Sequence, residues 1–307
     1  MKCLVTGGSG FLGRYVVAML KASGNNVHIL GRTSSSDIAA DLATGPPSLA
    51  SPYYDVVYHI AGKAHFVPQT DAHRLAFTNV NSVGTVHLLR AIEQQDHLPG
   101  SLVLVSSVAV YGREDGCMLD ENSPLSAEDP YGSSKRHAEE YVLSWGRDHG
   151  VTIGIVRLPL VAGKHPPGNL GRMIESIRQN RYFGIGGGGA RRSVVLATDV
   201  AAVLPVVAEK GGIYNLTDGL HPSFRQIENA IASVLEKRPP PHLPKAVAEV
   251  GARFGDAIMS VTSWRPPLTT RTLLKMTSTL TFDDSKARNE LGWNPKSVIE
   301  HASAWVS

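Results

Sequence analysis

Short apolar runs alternate with glycine turns and amphipathic stretches along most of the first half of the chain. Residues 2–5 are strand-like and run into Thr6-Gly7-Gly8-Ser9-Gly10-Phe11-Leu12-Gly13; beyond them Arg14-Tyr15-Val16-Val17-Ala18-Met19-Leu20 carries apolar positions at helical spacing. Further strand-like runs lie at 27–30, 55–60, 101–105 and 151–156, and 37–42 has room for a short strand ending near Asp41. The runs at 101–105 and 151–156 are continuously apolar, as expected of strands in a parallel sheet covered on both faces. Between them a helical pattern spans about 77–92, and another starts after Asp129-Pro130, where Asp suits an N-cap and Pro the first helical position. Six strands with helical crossovers predict an α/β fold, a Rossmann-type doubly wound parallel sheet.

The pattern changes beyond Arg157, where Leu158-Pro159-Leu160, Lys164-His165-Pro166-Pro167-Gly168-Asn169-Leu170 and the glycines at 186–189 read as loops around a site. A helix near 172–180, a strand near 193–196 and a Pro-rich stretch at 238–244 fit a smaller lobe partly interleaved with the sheet. Residues 1–160 are therefore expected to form a dinucleotide-binding domain. Residues 161–307 then form the C-terminal substrate lobe, with about 192–217 returning to the main sheet. An amphipathic stretch at 285–291 ends at Gly292-Trp293, and no internal repeat is visible.

Composition narrows the function classes. The 307 residues carry 30 Lys+Arg against 27 Asp+Glu, a net charge of +3, and the basic residues are scattered, which argues against nucleic acid as a partner. The two cysteines, Cys3 and Cys117, lack the spacing of a metal knuckle or redox pair. No apolar run approaches the ~18 residues of a membrane span. The N-terminus has no basic segment followed by an apolar one and a cleavage site, so a soluble, cytoplasmic protein with no membrane partner is expected. His59 and His65 have no Cys, Asp or Glu pattern around them and read as packing and loop residues; no metal is expected.

Candidate chemistry clusters at the carboxyl ends of the strands. The glycine turn, spaced Gly7, Gly10, Gly13, lets backbone N–H groups approach a pyrophosphate, with the helix N-terminus adding favourable charge. Gly31-Arg32 follows the second strand where many folds place an acid for the NAD ribose; an Arg there favours NADP over NAD. Asp41 stands where a polar side chain could meet an adenine, and Ala61-Gly62-Lys63 is a small-residue strand exit. Asn79, Asn81 and Thr85 sit among apolar residues of a helix and need partners there. Ser106-Ser107 ends another strand. Tyr131 and Lys135, four apart, share a helix face, and an ammonium close to the phenol would lower its pKa from the usual ~10. Alone, this five-residue motif matches by chance.

With Ser107, Tyr131 and Lys135 joined to the glycine turn, the chain resembles the extended short-chain dehydrogenase/reductases, specifically the nucleotide-sugar epimerase, reductase and dehydratase family. The likeness extends through Ala61-Gly62, Asn81-Ser82-Val83-Gly84-Thr85, residues 107–112, Gly168-Asn169-Leu170, residues 192–199 and residues 284–293. It implies that Ser107 and Tyr131 hydrogen-bond a substrate oxygen and that Tyr131 transfers its proton. Lys135 would bind the nicotinamide ribose and lower the tyrosine pKa, with Asn81 supporting the site. The same resemblance sets the cofactor against Gly7, Gly10, Phe11, Leu12, Gly13, Arg32, Asp41, Leu42, Ala61, Gly62, Lys63 and Pro159, besides Tyr131 and Lys135. It sets the nucleotide diphosphate of a sugar against Asn169, Leu170 and Arg192, a guanidinium being suited to bidentate phosphate recognition.

Two departures narrow the reaction. Family dehydratases carry an Asp-Glu pair straight after the catalytic hydroxyl residue, whereas Val108-Ala109 here cannot carry protons. Leu160 replaces an Asn that several epimerase-type relatives have after the sixth strand. The expected function is an NAD(P)-dependent enzyme acting at C4 of a nucleotide-linked hexose, a 4-keto-sugar reductase or a 4-epimerase, with Gly31-Arg32 inclining it to reduction. The alternatives are reduction of a non-sugar carbonyl on the same fold and a non-catalytic dinucleotide-binding protein. Relatives dimerise through the helices matching those of Asn81 and Tyr131, which implies a homodimer.

Overall fold

Strand alternation decides how the central sheet is covered in the computed structural model, which describes residues 1–64, 68–261, 266 and 268–306. In chain order β1 (Lys2–Thr6) leads through the glycine turn to α1 (Phe11–Ala22), β2 (Asn26–Gly31) and the two-residue β3 (Ile38–Ala39). Then come β4 (Val56–His59), α2 (Asp71–Phe77), a π-helical turn (Thr78–Val83) and α3 (Gly84–Glu93). β5 (Ser101–Ser107), a 3₁₀ turn (Val108–Tyr111) and β6 (Gly116–Leu119) precede the long α4 (Pro130–His149). Next are β7 (Thr152–Leu158), β8 (Leu160–Ala162), α5 (Gly168–Arg178), β9 (Gly184–Ile185), β10 (Val194–Leu196), α6 (Ala197–Lys210) and β11 (Gly212–Asn215). The rest comprises α7 (Phe224–Val234), β12 (His242–Leu243), α8 (Lys245–Val261), α9 (Thr270–Thr277), β13 (Leu280–Phe282), α10 (Ser285–Leu291) and α11 (Ser303–Val306).

Seven parallel strands form the main sheet in the order β11-β7-β5-β4-β1-β2-β3. Strand order reverses between β1 and β4, so a crevice opens at their carboxyl ends, where doubly wound sheets bind ligands. The sheet has one strand more than the apolar runs indicate. The extra strand is β11, part of the 192–217 stretch expected to return to the sheet; it is short and opens on Gly212 straight after the Gly211 cap of α6, so its sequence carries little strand signal.

Successive residues of each strand serve opposite faces. Val5, Val103, Val105 and Val156 pack with Val16 and Leu20 of α1 and Val200, Leu204 and Val207 of α6. Their neighbours Leu4, Leu102, Leu104 and Ile155 pack with Leu88 and Ile92 of α3 and Val142 and Trp145 of α4. Both faces are thus dry, which is why these strands read as unbroken apolar runs.

Beyond the sheet, β10 pairs with β8, β12 with β9 and β13 with β6. The strand foreseen near 193–196 therefore pairs outside the main sheet. A second cluster joins Leu170, Ile174 and Ile177 of α5 to Ile227 and Ile231 of α7, with Trp305 near the C-terminus. Among the described residues no helix is long and apolar enough to cross a membrane.

Candidate active site

The glycine turn is shaped by contact with the exit of β4. Gly7 has φ +70°, and a Cβ there would lie 2.8 Å from the backbone of Ala61. Only glycine takes this conformation and this approach together. A Cβ on Gly13 would run into the Gly7 carbonyl, which seats the first turn of α1 on the loop. Gly10 is the N-cap of α1 and offers no side-chain cap, and the first turn, with Phe11, Leu12 and Gly13, has no acidic residue. Its N–H groups and the positive end of the helix dipole suit an anion, so this chain's own geometry fits a dinucleotide pyrophosphate.

The catalytic candidates converge one crossover away. Asp129 caps α4 by accepting from the N–H groups of Tyr131 at 3.1 Å and Gly132 at 3.2 Å, with Pro130 opening the helix. The Tyr131 phenol stands against the Ser107 side chain at the end of β5, whose hydroxyl donates to the Leu158 carbonyl at 3.4 Å and accepts from the Ala109 N–H at 3.2 Å, and the Tyr131 ring lies 5.9 Å from that of Phe77. Lys135 is buried and donates to the Val105 carbonyl at 2.8 Å. A Cβ on Gly62 would lie 3.1 Å from Lys135 Nζ and 3.2 Å from Asn81 Oδ1, so the small-residue strand exit lets these groups meet.

The electrostatics differ from the sequence expectation. Burial pushes the Tyr131 pKa up, with the Ser107 hydrogen bond opposing and Asp129 adding to the rise. The expected lowering by Lys135 is not found in this arrangement: the ammonium donates to the Val105 carbonyl, and desolvation is the largest influence on the phenol. Burial also lowers the pKa of Lys135 to about 8, against the upward pull of Glu139.

Asn81 belongs to the π-helical turn that interrupts the single helix expected over about 77–92. Its Oδ1 accepts from the Lys63 N–H at 2.7 Å, and its Nδ2 donates to the Lys63 carbonyl at 3.0 Å and to Ser134 Oγ at 2.9 Å. The amide thereby ties the exit of β4 to α4. The turn also presents its backbone: Thr85 Oγ1 donates to the Asn81 carbonyl at 2.6 Å and stands 2.9 Å from His59 Nε2. His59 Nδ1 is 2.7 Å from Thr6 Oγ1, which accepts from the Ala61 N–H at 3.1 Å. His59 is a fully engaged core residue, while His65 lies outside the described residues.

The remaining candidates are spread over the rim. Arg32 is exposed on the loop after β2. Asp41 Oδ1 accepts from the Ala43 N–H at 3.0 Å, and Leu42 is buried with its carbonyl 2.7 Å from His87 Nδ1. Pro159 links β7 to β8. Asn169 Oδ1 accepts from Arg172 at 2.6 Å, and Leu170 is in the core with Ile174. Arg192 donates to the carbonyls of Arg191, Lys275 and Ser278 and lies over the Phe224 ring. No hydrogen bond joins these three to Ser107 or Tyr131.

Sequence reasoning missed a buried network beneath the site. Glu139 of α4 takes Arg157 of β7 at 2.7 Å and the Ser106 hydroxyl at 2.5 Å. Arg157 Nη1 donates to Tyr111 Oη at 3.0 Å, and Tyr111 donates to Asn215 Oδ1 at 2.8 Å. A glutamate one turn after Lys135 and an arginine ending an apolar strand were the available signals. Among the described residues no cluster of three His, Cys, Asp or Glu is placed to hold a metal.

A model of the NAD dependent epimerase/dehydratase family matches residues 3–217. Over 315 residues, 95% of this chain and 92% of the relative, the chain is 28% identical to a 4-hydroxy-2-methyl-3-oxo-4-farnesyl-3,4-dihydroquinoline-1-oxide ketoreductase from Stigmatella aurantiaca. It is 26% identical to a GDP-6-deoxy-D-mannose reductase from Pseudomonas aeruginosa, covering 94% of this chain and 99% of the relative. In fold it is similar to a Thermus thermophilus UDP-glucose 4-epimerase solved with NAD, with a TM-score of 0.75, 22% identity and coverage of 100% of this chain and 98% of the other.

Proposed function

The chain belongs to the NAD dependent epimerase/dehydratase family, and from that premise we propose that it is an NAD(P)-dependent enzyme acting at C4 of a nucleotide-linked hexose. Reduction of a 4-keto sugar is favoured over 4-epimerisation. The observation that carries the reading is that the end of β5 meets both candidates of α4, Ser107 standing against the Tyr131 phenol and the Val105 carbonyl holding the Lys135 ammonium, which lies beside Gly62. The family is enzymatic, and two relatives matched over nearly the whole chain are named as reductases. Arg32, exposed after β2, supports NADP as the preferred form of the cofactor.

Gly7, Gly10 and the first turn of α1 would hold the pyrophosphate, and Lys135 the nicotinamide ribose, with Arg32, Asp41, Leu42, Ala61, Lys63 and Pro159 around the rest. When bound, the nicotinamide supplies or accepts the hydride at C4. Ser107 orients the C4 oxygen, and Tyr131 Oη gives it a proton during reduction or takes one during oxidation. The raised pKa keeps the phenol in its protonated, donating form at neutral pH while making it a weaker acid than an exposed tyrosine, so the transfer is driven by the negative charge that develops on the C4 oxygen. Val108-Ala109 offers no acid or base for removing water, so dehydration is disfavoured. Asn169, Leu170 and Arg192 are the proposed nucleotide-side contacts, 161–307 the substrate lobe and 1–160 the cofactor domain, in a cytoplasmic homodimer.

Purified protein mixed with UDP-galactose or UDP-N-acetylgalactosamine and no added cofactor decides between the two C4 reactions. The reductase reading predicts no inversion, and inversion on retained nicotinamide overturns it. Tyr131→Phe is expected to lower turnover by about 10²-fold or more while cofactor binding persists; full activity would refute the role given to the phenol.

A second reading, reduction of a non-sugar carbonyl, is favoured by the Stigmatella relative, whose name denotes a ketoreductase of a farnesylated quinoline oxide. It predicts that UDP, dTDP and GDP all leave the melting temperature unchanged, whereas the sugar reading predicts a rise with one of them.

A further inference from the structure

Below Tyr131 and Lys135 lies an ion pair for which the reaction scheme has no task. Glu139 and Arg157 side chains are each 2% exposed and meet at 2.7 Å. Arg157 Nε adds contacts of 3.2 Å to both carboxylate oxygens, and Ser106 Oγ donates to Oε1 at 2.5 Å. A pair this deep carries a desolvation cost that apolar residues of similar volume would avoid.

Its position bears on the site. Ser106 stands in β5 between Val105, whose carbonyl receives Lys135 Nζ, and Ser107, which meets the Tyr131 phenol. Glu139 sits one turn past Lys135 on the same face of α4. One carboxylate therefore grips the strand that supplies both partners and the helix that supplies both catalytic candidates, while Arg157 anchors it to β7.

We propose that Glu139, clamped by Arg157 and Ser106, is a positioning residue for the Tyr131–Lys135 pair: it fixes the end of β5 against α4 and sets a negative charge beside the lysine ammonium. The proposal rests on the reading of Tyr131 and Lys135 given above. The charged and titratable groups that act on Lys135 are Glu139 from α4 and His59 from β4; the Val105 carbonyl of β5 accepts from its ammonium, and the Asn81 amide lies with it beside Gly62, with Tyr131 one turn back along α4. Arg157 lies behind Glu139, with Tyr111 beyond it. Burial lowers the lysine pKa to about 8 and Glu139 opposes that fall. Without the carboxylate, nothing opposes the fall.

The test is the pH dependence of NADPH and NADH binding, followed by nicotinamide fluorescence, in the wild type and in K135M, E139Q and E139D. Affinity in the wild type is expected to decline above a midpoint near pH 8, where the buried ammonium loses its proton, and K135M is expected to lack that decline. E139Q should move the midpoint down by about one pH unit or more, and E139D should return it towards the wild-type value. A folded E139Q with the wild-type midpoint overturns the proposal. If E139Q does not fold, E139Q/R157M, which removes both charges of the ion pair, carries the same test: a lowered midpoint supports the role and an unchanged one refutes it. A K135M profile that keeps the decline removes the lysine reading itself, and the proposal with it.

Discussion

His59 shows how completely surroundings can define one side chain. Thr85 Oγ1 spends its only proton on the Asn81 carbonyl, so its oxygen accepts from His59 Nε2–H. Nδ1 is then the acceptor for the Thr6 hydroxyl, which itself accepts the Ala61 N–H. The imidazole is neutral, and a proton added to Nδ1 would face a hydroxyl already committed as donor. Burial, reinforced by Lys135, lowers its pKa from 6.5 to about 3. Between those values the unfolded chain binds the proton and the folded one does not. Stability from this group is therefore full above pH 6.5 and declines as pH falls towards 3, by at most ~1.4 kcal/mol per pH unit. Urea midpoints measured from pH 7 to 4 should show this slope in the wild type and a shallower one in His59→Asn. Parallel slopes would mean that His59 is protonated in the folded state. The sequence gives a lone histidine in an apolar strand; its two hydroxyl partners stand 53 and 26 residues away along the chain.

At the scale of elements, α4 is the clearest case of local sequence writing local structure. Asp129 and Pro130 set its start, and Gly150, with φ +69°, ends it. The cap also aims the first turn, because Asp129 Oδ1 holds the N–H groups of both Tyr131 and Gly132. Asp129→Ala should cost about 1 kcal/mol of stability by urea denaturation and lower turnover through a looser Tyr131, with cofactor affinity kept. A loss of stability with unchanged turnover would separate the cap from the tyrosine. The stretch that reads as one helix over about 77–92 behaves differently. Its apolar periodicity survives, but the π-helical turn at Thr78–Val83 shifts the register and aims Asn81 at Lys63 and Ser134. Periodicity does not reveal that shift, since it is stabilised by contacts to β4 and α4.

Over the whole molecule, Arg192 reaches furthest from its sequence expectation. It is singled out as a phosphate partner by resemblance, yet its guanidinium closes on the last carbonyls of α9, 83 and 86 residues away. A cation at a helix C-terminus is favourable there. Burial lowers its pKa, with Glu114 opposing, and Glu114 also meets Arg271 and Lys275 of α9 at 3.3 Å. Arg192→Ala should raise amide hydrogen exchange over Thr270–Thr277 if the clamp is its work. A KM for a UDP-sugar raised about tenfold with unchanged exchange would instead assign it to the diphosphate.

Much of the framework is local and so legible in sequence: apolar runs covered on two faces, a glycine turn that a side chain would obstruct, and a capped helix bearing Tyr131 and Lys135. These features depend on neighbours within a few residues. Tertiary structure alone decided what the lysine faces, that the phenol is made less acidic by burial, and that Glu139 and Arg157 join beneath them. It also chose which part of 192–217 returns to the sheet, β11 at its edge, and brought Arg192 to α9. Desolvation and long-range hydrogen bonds depend on which distant segments close over a group. A motif of five residues holds no record of that enclosure.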